Sequence, residues 1–434
     1  MSAELIGGIA IAAMFVLIAL RVPVAIAMAT VGIFGGLVLN GFDSVAFVVG
    51  SLPFESVFPY SLSVIPLFVM MGVFSARAGL SQSLYGALHA FIGHFRGGLG
   101  MATIGACAAF GAICGSSLAT AATMSRVALP EMEKRNYDKG LAAATVAAGG
   151  TLGVLIPPSV IMVVYALLTE QSIGRMFAAA LLPGVLATSL YMLAVYIQTL
   201  RKPELAPAAA RMDWRQRLQA IKNVWAVMVL FVVVIGGIYI GWFSPTEAAA
   251  VGALGAFLLS FLRGKMTLAV MKDCMTETAL TSGMIFLIVI GTALFNYFVE
   301  TTGLPQQFVD GISALGWPPL AVVVMLVVFY LILGCFMDAL SMVLLTLPFV
   351  YPLVVSLQLD PIWFGIILVS VVEVGLITPP VGMNLFVIMA GTPGLNITTI
   401  SRGVIAFLLA DVVRVALLIL FPFLSLWLPS VMMD

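Results

Sequence analysis

Apolar runs of about 20 residues, separated by short polar intervals, fill most of the chain, and that length suits a helix crossing a bilayer. The pattern predicts spans at 5–21, 24–40 and 61–77. Residues 80–96 mix apolar positions with Gln82, His89, His94 and Arg96, and read as an amphipathic helix at the membrane interface. From 97 to 135 the chain is small and apolar, but it is interrupted between Gly111 and Ser117. Each arm is too short to span comfortably, which predicts a re-entrant helical hairpin with its tip at Gly115 to Ser117. Residues 139–169 form an apolar run broken by Gly150-Thr-Leu-Gly-Val-Leu-Ile-Pro-Pro-Ser159. Proline lacks the N–H and clashes with the preceding turn, so the helix cannot continue unbroken there. A span at 176–200 and a soluble-looking linker at 201–222 complete the first half.

The second half repeats the grammar. Spans are predicted at 224–243, 246–262 and 279–299, with a short polar segment over 263–277. An apolar hairpin covers 318–357, its tip near Gly334 to Ser341. A second broken helix, 361–391, carries Gly375-Leu-Ile-Thr-Pro-Pro-Val-Gly-Met-Asn384, and the last span is 403–428. One register relates the halves. Adding 222 carries Pro23 to Pro245, Pro130 to Pro352, Asp138 to Asp360, Gly153 to Gly375, Pro157-Pro158 to Pro379-Pro380, and Ser116 to Asp338. The expectation is an all-α polytopic membrane protein of two repeats, 1–200 and 223–434, each with a re-entrant hairpin and a broken helix. Five full crossings per half is an odd number, so the repeats are inverted. With 201–222 in the cytoplasm, most Arg and Lys residues fall on that side and both termini on the other, as the positive-inside rule asks.

Composition agrees. The 434 residues are 62% hydrophobic and 9% charged, and the mean hydropathy is +1.18. That excludes an ordinary soluble domain. A net charge of zero gives no reason to expect a nucleic-acid partner. Glu4 and the lack of a basic start favour a retained first span over a cleaved signal. Cys107, Cys114, Cys274 and Cys335 have no metal or disulfide spacing, and His89 and His94 do not share a helix face.

The chemistry is expected at the breaks. A helix broken inside a membrane frees backbone groups, tolerable only where protein buries them or a wet cavity receives them. Freed carbonyls suit a small hard cation, and freed N–H groups suit a carboxylate. A tip packed against each break gives two cation sites around one substrate site. The first draws on Ser116 and Ser117 with backbone from Gly149 to Gly153, the second on Asp338 with Gly334, Gly375 and Thr378. Oxygen-only ligation favours sodium, and two or more ions are expected. Ser117, Thr120, Asp338 and Asn384 are the substrate candidates. The alternative for these Ser and Thr residues is hydrogen bonding between helices. Glu373 stands between ion coupling and a structural hydrogen bond. Asp411 and Arg414, three apart, read as a buried ion pair. Arg126 reads as a counter-charge to Glu131 or Glu133 at the cytoplasmic mouth, with contact to an anionic substrate as its second reading. There is no P-loop pattern and no convincing nucleophile–base set, so an ATPase or an enzyme is not expected.

Three stretches together resemble the large membrane subunit of tripartite ATP-independent periplasmic (TRAP) transporters. They are Gly115-Ser-Ser-Leu-Ala-Thr-Ala-Ala-Thr-Met-Ser-Arg-Val-Ala-Leu-Pro-Glu-Met132, Gly153-Val-Leu-Ile-Pro-Pro-Ser159 and Gly375 to Asn384. The likeness extends over nearly the whole chain. It implies sodium-driven import of organic acids, such as C4-dicarboxylates or sialic acid, across a bacterial inner membrane. It also implies a soluble periplasmic binding protein that delivers substrate, and a separate small membrane subunit of about four helices. Transport would be elevator-like, with a moving domain mainly of 97–169 and 318–391 against the remaining spans. The competing readings are a stand-alone ion-coupled carboxylate transporter or antiporter, and a channel or structural membrane scaffold.

Overall fold

The structure, a computed structural model, describes residues 2–392 and 394–432, so the expected side for each terminus falls partly on Met1 and Asp434, outside the described residues. Those residues are helical almost throughout, in chain order α1 (Ala3–Ala19), α2 (Val24–Val57), α3 (Val64–Arg77), α4 (Leu80–Ile92), α5 (Gly98–Cys114), α6 (Ser117–Glu133), α7 (Lys139–Leu155), α8 (Val160–Leu168), α9 (Ile173–Arg201) and α10 (Trp214–Phe231). The second half continues with α11 (Gly237–Tyr239), α12 (Pro245–Leu262), α13 (Leu268–Thr302), α14 (Leu304–Ala314), α15 (Pro319–Gly334), α16 (Ala339–Ser356), α17 (Pro361–Ile377), α18 (Met383–Gly391), α19 (Ile397–Leu420) and α20 (Phe423–Met432). Among the described residues, nine helical stretches are long and apolar enough to cross a membrane.

Local chemistry explains the boundaries. α7 begins at Asp138, whose carboxylate accepts from Leu141 N at 2.8 Å. α17 begins in the same way, 222 residues on, at Asp360, which accepts from Trp363 N at 2.9 Å. Each helix ends at a residue in extended conformation, Ile156 (φ −85°, ψ 123°) and Thr378 (φ −86°, ψ 123°), again 222 apart. The Pro157-Pro158 and Pro379-Pro380 bonds that follow are both cis.

The structure departs from the expected spans at five places. The first span pair extends further, because α2 runs on to Val57 through a kink at Gly41 (φ 78°). The linker is shorter than 201–222, because Asp213 and Gln216 form a capping box at the N-terminus of α10, with Gln216 Oε1 accepting from Asp213 N at 3.1 Å, and start the helix at Trp214. The polar segment 263–277 is largely the first part of α13, and α14 is a short amphipathic helix where no element was expected. The last span, expected as one helix over 403–428, is α19 and α20, since Pro422 cannot continue the ladder.

The closest packing falls into two sets, bridged by α4, which lies against both α10 and α5. α2 lies along α13, α12 against α3, and α10 against α4. α5, α6, α9 and α19 pack on α7, while α15, α16 and α9 pack on α17. The basic residues Arg77, Arg263 and Lys265 gather at one end. There the Arg263 guanidinium donates to the carbonyls of Ala78 (3.2 Å) and Asn223 (3.0 Å), and Arg77 pairs with Glu277 at 3.6 Å.

Candidate functional site

The two short helix pairs turn over very few residues. Gly115 takes a left-handed conformation (φ 65°) that favours glycine and passes the chain from α5 to Ser116, the N-cap of α6. Ser116 Oγ accepts from Ala119 N at 3.4 Å. Asp338, its partner in the 222-residue register, is the N-cap of α16 and accepts from Ser341 N at 2.9 Å through Oδ2. Both tips therefore spend one side-chain oxygen on capping a helix, which satisfies an otherwise orphaned N–H.

Each tip packs on a break through glycine. A Cβ on Gly111 would sit 2.5 Å from Gly153 Cα, and one on Gly334 would sit 2.9 Å from Gly375 Cα. No methyl fits at either crossing.

Ser116, Ser117 and Asp338 line one cavity of about 460 Å³. Its floor includes Val154, Val160 and Leu376, from the flanks of the two breaks. The opposite wall comes from α3 (Gly72, Val73 and Ala76) and from α13 (Glu277, Thr281 and Met284). The cavity is an apolar cleft with a few convergent polar groups, the usual form of a small-molecule site.

The other candidates separate from it. Thr120 is fully buried behind the first tip, and its Oγ1 has no partner. A Cβ on Gly153 would lie 2.7 Å from that oxygen and 3.0 Å from the Ser116 carbonyl oxygen, so hydroxyl, carbonyl and helix end converge there. Gly149 does not belong to this group. It lies within regular helix, nearly two turns before the break, and faces Cys107 of α5. The second break is more self-contained, since Thr378 Oγ1 donates to Val374 O at 2.6 Å and Thr378 N to Gly375 O at 3.2 Å. Asn384 does not line the cavity. It is fully buried on α18, and its Nδ2 donates to Ala147 O at 3.2 Å, holding the second broken helix against the first.

Charge is arranged differently from expectation. Glu131 pairs with Lys134 at 2.7 Å and Glu133 with Lys139 at 3.7 Å, so neither needs Arg126. Arg126 makes no ion pair among the described residues and lies in the cavity wall with Glu277. Lining residues run along α6 from Ser116 to Arg126, so Ser117 and Arg126 share the cavity despite their separation along the helix. Glu277 and Thr281 escaped the sequence reading because they sit at the polar start of an otherwise plain span.

Asp411 and Arg414 pair as expected, at 3.0 Å, and Glu373 joins them at 2.9 Å. Tyr191 completes the network, donating to Asp411 at 2.8 Å, and nothing local in its span marks it out.

Comparison with known proteins decides what such a molecule is. The family described as "Tripartite ATP-independent periplasmic transporter, DctM component" matches residues 11–424. The chain belongs to the DctM family of TRAP transporters. It is therefore a multi-pass membrane permease subunit, not an enzyme. A C4-dicarboxylate TRAP transporter large permease protein of Pseudomonas aeruginosa is 36% identical over 87% of this chain and 88% of its own length. An ectoine TRAP transporter large permease protein of Halomonas elongata is 30% identical over 97% of this chain and 98% of its own. The YdaH transporter of Alcanivorax borkumensis shares the fold at a TM-score of 0.66 and 15% identity, covering 87% of this chain and 89% of that one.

Proposed function

We propose that this DctM-family subunit imports an organic acid together with sodium, with the cavity between the two tips as its substrate site. The observation that carries this reading is the meeting of Ser116, Ser117 and Asp338 in one cavity that is also lined by residues flanking both breaks. In this reading α5–α6 and α15–α16 are re-entrant hairpins of two inverted repeats. The matched caps at Asp138 and Asp360, and the matched ends at Ile156 and Thr378, support that relation.

The residues present fit a sodium ion. The open, buried Thr120 Oγ1, the Ser116 carbonyl and the last carbonyls of α7 form an all-oxygen set beside Gly153, as a hard monovalent ion asks. Thr120 is thus a cation ligand in this reading rather than a substrate contact. Asp338, with Gly334, Gly375 and Thr378, serves the second ion. Bound sodium would neutralise Asp338 and offer positive charge to a carboxylate in the cavity. Ser117 hydrogen-bonds that carboxylate, and Arg126 draws it in by charge.

The moving body is broader than 97–169 and 318–391. α9 and α19 pack on both broken helices and are tied to them by buried charge, so they travel with them. α2, α3, α12 and α13 form the static frame. The basic end near Arg77, Arg263 and Lys265 faces the cytoplasm in this orientation. The family is tripartite by name, which fits a small four-helix membrane subunit and a soluble periplasmic binding protein as partners.

Sodium binding is tested directly by thermal unfolding of the purified chain. Sodium should raise the unfolding temperature relative to potassium at equal ionic strength, since a ligand that binds only the folded state stabilises it. Equal curves in the two salts would remove the cation sites from this reading.

A further inference from the structure

A second cleft, of about 360 Å³, opens between α4 and α10 and shares no residue with the cavity above. Its walls include Gln82, Ser83 and Gly86 of α4, and Arg215, Gln219 and Asn223 of α10. A Cβ on Gly86 would meet no heavy atom within 4 Å, so the cleft is open at its middle. At one end Arg263 bridges the two helices, donating to Ser83 Oγ at 3.4 Å and to Asn223 O at 3.0 Å. At the other, the Arg217 guanidinium lies over the Phe91 ring at 5.7 Å. These two pairings make α4 and α10 antiparallel. The sequence of α10 is polar from Arg215 to Asn223 and wholly apolar from Val224 to Phe231, with Trp225 exposed just past the change. Tryptophan favours the membrane–water boundary, so the cleft lies at headgroup level.

The charge around this cleft is of one sign. Neither α4 nor α10 contains Asp or Glu. Asp213 caps α10 and does not line the cleft. Lys265 brings its ammonium beside Gln82 Oε1, where a Cβ on Gly79 would meet both. Arg217 is only 8% exposed, and its Nε and Nη2 are buried without a partner. It makes no ion pair among the described residues. The Phe91 face offsets part of that burial, but a sealed cation still lacks its counter-charge. An anion in the cleft would stand one turn from it on both walls, because the lining residues Ala87 and Ala220 lie four from Phe91 and three from Arg217. The anion that fits is part of a lipid. Beside the cleft α10 exposes Leu218, Ile221 and Trp225 at helical spacing, an apolar stripe facing the bilayer. Basic pockets between helices at this level suit anionic headgroups. We propose that the cleft binds the phosphate headgroup of an anionic membrane phospholipid, with its acyl chains along that stripe.

The lipid clamps α4 to α10. Its readout is native mass spectrometry of the full chain in detergent, titrated with phosphatidylglycerol or with phosphatidylcholine of the same acyl chains. The first phosphatidylglycerol should bind roughly tenfold tighter than the first phosphatidylcholine. Arg215→Gln should weaken it roughly fivefold, the share of one basic residue beside an anionic lipid. Gly86→Leu fills the open middle of the cleft without changing charge, and should weaken it at least as much. Arg175→Gln, at an exposed position at the start of α9, should leave it unchanged. An excess of inorganic phosphate should leave the lipid bound. Equal binding of the two lipids overturns the proposal, as does tight phosphatidylglycerol binding that survives both cleft variants or falls equally in Arg175→Gln. Displacement by inorganic phosphate also overturns it, because the site would then serve a free anion. The comparison of the two lipids on the unaltered chain remains decisive if a variant does not fold.

Discussion

Thr120 holds a hydroxyl that its own helix does not use. Its neighbour Ser116 spends its side-chain oxygen on a backbone N–H, while Thr120 Oγ1 is left open against Gly153. Thr120→Val keeps the shape and removes the oxygen. We expect the sodium concentration for half-maximal uptake to rise roughly tenfold, a loss of about 1–2 kcal/mol for one ligand, with little change in expression. Sodium titration of uptake checks this, and an unchanged requirement would release Thr120 from the site. Arg414 makes the opposite case. Arg414→Leu strands two carboxylates in a dry interior and should cost about 3–5 kcal/mol, read as a lower unfolding temperature. Asn384 and Tyr191 show where residue-level reading fails. An asparagine one turn past a break signals a ligand by position alone. Its contact with Ala147, 237 residues away, is settled by tertiary packing.

The elements that decide the site were largely legible, because proline and glycine act locally. Pro157-Pro158, Pro379-Pro380 and Gly115 fix two breaks and a turn whatever surrounds them. Helices without such punctuation were harder to bound. α14 has 11 residues, too few for a window that looks for spans. Residues 41–57 carry Asp43, Pro53 and Glu55, which hid the second part of α2. The start of α10 was readable after all, since Asp213 and Gln216 stand at capping-box spacing. The glycine crossings give a prediction at this scale. Gly375→Val puts side-chain carbon where Gly334 Cα already lies. It should cost about 1–3 kcal/mol, seen as a lower unfolding temperature, and abolish uptake by pushing the second tip off its break. Gly283→Ala, at an open helix position, should do neither.

At the scale of the whole molecule, the cavity lies between helices assigned here to different bodies. Thr123 on α6 and Thr281 on α13 both line it. If α6 slides past α13 during transport, joining Thr123→Cys to Thr281→Cys with a short bis-maleimide should stop uptake. Each single variant treated alike should keep it. Uptake that survives the tether would favour a fixed pore over a moving body. The measurement closest to the central claim is labelled-succinate uptake into proteoliposomes holding this chain with the small membrane subunit proposed for it, the proposed binding protein supplied outside. An inward sodium gradient should drive accumulation above the external concentration, and collapsing that gradient should abolish it. Accumulation of any tested acid that persists without a sodium gradient would contradict the account.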